Sequence, residues 1–183
     1  MELKSKLQNL NEAYQKVLFW FFSFPGQEFS LNNIAEQLKI AKTTAKEVVK
    51  MLVKEEFVEI KIIGRLWGIS CNQNHIYNFS RKISYNLMMI YKSGILQEIH
   101  KHTPSSKAII LFGSYRKGDD TEKSDIDIAV EVIGNQELQI KQVGIFPKFG
   151  YRENVPVNTH IFSRNKIDIN LFSNIANGIV LEG

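Results

Sequence analysis

The chain has 183 residues, 44% of them hydrophobic and 23% charged, which suits one large or two small domains of an ordinary soluble protein. No apolar run approaches the roughly 20 residues of a membrane helix; the one from Val17 to Phe24 spans eight. The opening MELKSKLQNLNEAYQ mixes charges with apolar residues at helical spacing and does not read as a signal peptide, so a cytoplasmic protein with no membrane partner is expected. The single cysteine, Cys71, excludes an intrachain disulfide and any cysteine-cluster metal site. The net charge of +4 is unevenly spread: residues 1–104 hold 14 Lys and Arg against 9 Asp and Glu, and residues 105–183 hold 9 against 10. A basic first half fits either a polyanionic partner or a solvated lysine-rich face.

In chain order, residues 11–22 place Tyr14, Val17, Leu18 and Phe21 at helical spacing until Pro25-Gly26 stops them. Ser30 is placed to cap a short second helix with the apolar stripe Leu31, Ile34, Ala35 and Leu38. A third helix follows Ala41, with Ala45, Val48, Val49 and Leu52 inside and Lys42, Thr43, Lys46, Glu47 and Lys50 outside; Thr43 is read as its cap. Residues 57–69 turn to β-type residues and predict a hairpin with its tip near Gly64-Arg65. Three helices and a hairpin in this order, over residues 11–70, resemble a winged helix-turn-helix. That resemblance implies a face of Lys42, Thr43, Lys46, Lys50 and Arg65 turned toward duplex DNA, or a docking surface for a protein partner.

Residues 76–102 read as a long helix broken at Ser93-Gly94, and Thr103-Pro104-Ser105-Ser106 closes it. The expected domains are therefore 1–75, a helical connector over 76–104, and 105–183. From 107 onward, KAIILF, SDIDIAVEVI and VPVNTHIF are strand-like, QELQIKQVGIF reads as a helix, and the tail suggests a helix and a last strand from Gly178 to Leu181. Such alternation predicts an α/β (α+β) domain with a mixed sheet flanked by helices.

The chemistry concentrates in LFGSYRKGDDTEKSDIDIAV. An apolar strand that ends in Gly113-Ser114 turns where no side chain obstructs a phosphate, and serine with the following amides can donate to it. Arg116 and Lys117 lie within reach of a triphosphate and equally suit solvated charge. Asp125 and Asp127 are two apart on a strand, so both carboxylates point to one face and Ile126 and Ile128 to the other. Hard divalent cations relieve the repulsion of such a pair, and magnesium commonly takes one or two carboxylates plus phosphate oxygens. Asp119-Asp120 read as turn residues.

Gly-Ser, then Asp-x-Asp about ten residues later inside an apolar strand, resembles the DNA polymerase β-like nucleotidyltransferase superfamily, in its small prokaryotic members with a fused winged helix. The resemblance covers about residues 107–181. It implies a nucleoside triphosphate bound at Gly113, Ser114, Arg116 and Lys117, with Mg2+ or Mn2+ on Asp125 and Asp127, and nucleotidyl transfer to a hydroxyl acceptor. Active members carry a third carboxylate on a later strand. The inward positions of VPVNTHIF instead hold Asn158 and His160, and Glu131, Glu153 and Asp168 fall elsewhere. His160 has two readings, a catalytic substitute or a packed histidine; His75, His100 and His102 lack ligand spacing. Three functions follow: an active transferase, a nucleotide-responsive DNA-binding regulator without turnover, or a toxin–antitoxin partner. A homodimer stays open.

Overall fold

A computed structural model describes residues 2–64 and 66–183, in two compact units, Met1–Asn78 and Phe79–Gly183. Among the described residues no helix is long and apolar enough to cross a membrane. Arg65, read from the sequence as part of the basic face, lies outside them.

The first unit runs α1 (Glu2–Ser23), β1 (Glu28–Phe29), α2 (Leu31–Leu38), α3 (Lys42–Lys54), β2 (Val58–Ile63) and β3 (Leu66–Cys71). Val17 and Phe21 of α1, Ile34 of α2 and Val48, Val49 and Leu52 of α3 are completely buried, each such side chain contributing about 1.5–3 kcal/mol. Phe57 joins them edge-on to Phe22, with ring centroids 5.5 Å apart. Ser30 caps α2 as expected, its Oγ accepting from the Asn33 amide at 3.1 Å. Thr43 does not cap α3: Ala41 holds that position without a side-chain bond, and Thr43 sits inside the first turn. The hairpin gains a strand the sequence did not reveal, for β1 pairs antiparallel with β3 in the order β1-β3-β2. A β-carbon at Gly68 would meet the end of the Glu28 side chain.

The second unit contains α4 (Arg81–Ser93), α5 (Ile95–His102), β4 (Ser106–Phe112), α6 (Gly113–Lys117), β5 (Ile126–Val132), β6 (Gln139–Phe149), β7 (Arg152–Phe162), α7 (Ile169–Ala176) and β8 (Ile179–Glu182). Its five strands form a mixed sheet, β6-β7-β5-β4-β8, in which β5 and β7 run parallel and the other neighbours antiparallel. Helices α4 and α5, set apart in the sequence reading as a connector, share this unit's core. Ile90, Ile95 and Ile99 pack with Leu111, Ile126, Ile128 and Val157 on one face of the sheet. On the other face Ile175 of α7 packs with Phe112, Ala129 and Phe162.

One reading fails here. The stretch QELQIKQVGIF is not a helix; its larger part is β6, an eleven-residue strand paired along β7. Leu138, Ile140 and Val143 fit either period, but Gly144 and Pro147 both disfavour a helix interior. Gly144 falls at a register shift and Pro147 lies in an edge strand, where a missing amide is tolerated.

Candidate functional site

The alternation of β5 decides which groups meet. Ile126 and Ile128 are buried toward α4 and α5, so Asp127 between them emerges on the α7 face, and Asp125, one residue before the strand, precedes it there. Antiparallel pairing sets Asp127 opposite Phe112, the last residue of β4, and the chain turns at once into α6 through Gly113. Gly113 has φ +73°, a conformation that costs other residues about 1–2 kcal/mol, and a β-carbon there would lie 3.0 Å from Asp127 Oδ2. The Gly-Ser turn and the second aspartate are thus in direct apposition. Arg116 and Lys117 line a cleft of about 340 Å³ beside Gly113, with Asn174 and Asn177 opposite. Ser114 follows Gly113 at the start of α6 and is half-buried.

Parallel pairing brings β7 alongside, with Asn158 in register with Asp127. Asn158 Nδ2 donates to Asp125 Oδ2 at 2.5 Å. His160 Nε2 lies 3.3 Å from Asp127 Oδ1, with the imidazole side chain 13% exposed and the carboxylate 27%. The other ring nitrogen, Nδ1, is buried without a partner, and the ring stands edge-on to Phe112 at 4.9 Å. A hydrogen on Nδ1 would have no acceptor, so it belongs on Nε2, pointing at Asp127. Asn158 and His160 therefore occupy the expected inward positions and both serve the aspartates as N–H donors.

None of the other candidate acids is seen to join the pair. Glu131 pairs with Arg164 at 2.9 Å, Asp168 caps α7 through the Asn170 and Leu171 amides, and Glu153 is exposed. Among the described residues no three His, Cys, Asp or Glu side chains cluster as metal ligands. The donor set fits one hard cation held by Asp125 and Asp127 and completed by phosphate oxygens and water.

Sequence reasoning missed the structure beneath this site. Asp120, read as a turn residue, is buried: its carboxylate lies 3.2 Å from Lys82 Nζ and accepts from Asn86 Nδ2 at 2.8 Å. Lys82 also donates to the Asp120 carbonyl. Burial pushes the Asp120 carboxyl above its usual range, and the Lys82 charge opposes that rise without cancelling it. Arg152, equally buried, donates to the Tyr115 hydroxyl and, through Nη2, to the Ser124 carbonyl at 2.6 Å. Burial raises the Tyr115 phenol despite the Arg152 charge. This network grips the loop from α6 to β5 just ahead of Asp125.

In the first unit, Lys42, Thr43 and Lys46 line a cleft of about 400 Å³ with Leu66 and Trp67 of β3. Lys46 Nζ stands 5.6 Å from the centre of the Trp67 ring, a cation–π arrangement. Lys50 is exposed one turn further along α3.

Residues 92–170 match the family model of the nucleotidyltransferase domain, from the end of α4 through the start of α7. No curated protein matches the chain. The match supports the nucleotidyltransferase superfamily for this part of the chain, and with it nucleotidyl transfer as the general class of chemistry and a nucleotide as substrate.

Proposed function

We propose that the Phe79–Gly183 unit binds a nucleoside triphosphate with Mg2+ or Mn2+ and transfers its nucleotidyl group slowly to a hydroxyl acceptor. The apposition of Gly113 and Asp127 Oδ2 carries this reading, since it sets a bare backbone beside a carboxylate where phosphate and cation would meet. Asp125 and Asp127 are assigned to the cation, which would supply Lewis-acid stabilisation of phosphoryl charge. The backbone at Gly113-Ser114, with Arg116 and Lys117, is assigned to the phosphates. The acceptor oxygen bonds to the α-phosphorus as the bond to the bridging oxygen breaks, and pyrophosphate departs with that electron pair. The acceptor proton is released to water: Asn158 is no base, and Nε2 of His160 already carries a hydrogen. Loss of a positioned base removes a factor of about 10²–10⁴.

Incubation with labelled ATP, CTP, GTP and UTP plus either cation tests this directly. Slow pyrophosphate release, with label on protein, DNA or RNA, is expected in the parent and lost in Asp127→Asn. Failure of all four nucleotides to bind would sink the reading.

A second reading, a nucleotide-responsive DNA-binding regulator without turnover, draws support from the N–H donors at Asn158 and His160 and from the basic cleft of the first unit. In it a winged helix presents Lys42, Thr43, Lys46 and Lys50 to the phosphate backbone of duplex DNA. Nucleotide binding without pyrophosphate release, together with oligonucleotide retention by the full chain, would favour it. Retention of protein partners but not DNA would turn that face into a docking surface.

A further inference from the structure

Two carboxylates on one face of a strand repel unless something positive stands between or beside them. Here the compensation is built into the neighbouring strand. Asn158 Nδ2 meets Asp125 Oδ2 at 2.5 Å and His160 Nε2 meets Asp127 Oδ1 at 3.3 Å. Each N–H engages one oxygen of its aspartate. Both donors come from β7, the strand adjoining Asp127 in register, where an additional acid would be needed to charge-balance a second divalent ion. An amide and an imidazole bring no carboxylate, so β7 offers at these positions no third acid with which the protein could hold a second divalent ion.

The rest of the geometry agrees. Among the described residues no third acid joins Asp125 and Asp127, since Glu131 is paired with Arg164 and Asp168 is turned to its helix cap. Arg116 and Lys117 line the cleft beside Gly113, where they would offer positive charge to phosphates. We infer that this site takes a single divalent cation, shared by Asp125, Asp127 and the nucleotide phosphates, with the Asn158 and His160 N–H groups standing in place of the second ion. The inference rests on the nucleotide-binding reading above and adds the number of ions to it.

Electron paramagnetic resonance of the full chain with Mn2+ and non-hydrolysable analogues of ATP, CTP, GTP and UTP in turn reads the ion count without any turnover. One protein-bound Mn2+ per chain, with the six-line spectrum of an isolated ion, is expected. Two ions about 3.5–4 Å apart would couple magnetically and abolish that pattern, and such a coupled spectrum from the parent overturns the inference. Asn158→Asp and His160→Asp each restore an acid on β7, and at least one should bind the second ion and give the coupled signal. If the parent holds one ion and both variants also hold one, Asn158 and His160 do not set the count and the inference fails. If no analogue recruits Mn2+ while Mn2+-free nucleotide binding persists, the one-ion assignment alone is lost. If no nucleotide binds at all, the underlying reading goes with it.

Discussion

The β4–α6–β5 half of the site and its β7 half differ in kind. On the first, Gly113 sits at φ +73° beside the Asp127 carboxylate, and Asp125 and Asp127 present the acids proposed to bind the cation. On the second, two N–H donors face the acids where proton removal and extra charge would be required. In the proposed function, ligand retention and the chemical step would therefore fall to separate strands.

The widest effect should come from the scaffold common to both halves. Lys82→Met leaves the Asp120 carboxylate buried without its cation, and breaking such a pair costs about 3–5 kcal/mol. Urea unfolding should show that loss; a change below about 1 kcal/mol would mean that the loop ahead of Asp125 is held some other way. Next, His160→Asp or Asn158→Asp should raise the nucleotidyl transfer rate about a hundredfold, because a positioned base is typically worth at least that. No gain from either would place the defect on the β4–β5 half and erase the contrast. Gly113→Ala forces a side chain into φ +73° and against Asp127, so Mg2+-dependent nucleotide affinity by calorimetry should fall about tenfold. The smallest effects belong to the first unit. If α3 meets duplex DNA, replacing Lys42, Lys46 or Lys50 by glutamine should each flatten the slope of log affinity against log salt by about 0.9. Unchanged slopes would assign the Lys46–Trp67 cleft to a protein partner.

The first half of the site was legible because local geometry writes it: a period of two puts Asp125 and Asp127 together, and a strand-to-helix turn needs Gly113. Asn158 and His160 were legible by the same alternation on β7, though only the structure shows what their hydrogens do. Other features depend on partners the sequence does not advertise. Asp120 looks like a turn residue until Lys82, 38 positions away, closes on it. Strand β1 is two residues long and carries no period at all. Strand β6 carries apolar residues that satisfy two periods, and the decision falls to pairing with β7, for which Gly144 and Pro147 were the available local signs.

The parallel pair of β5 and β7 also joins segments that are distant in the chain. Strands β4 and β5 close locally, as do β6 and β7, but the bonds from Asp125 to Asn158 and from Asp127 to His160 each span 33 residues. Closing the larger loop costs more entropy, so the two hairpins form more readily than their union. The compensated electrostatics of the aspartate pair therefore depend on a pairing more distant in sequence than β4 with β5 or β6 with β7, and in this sheet only β4 with β8 reaches further.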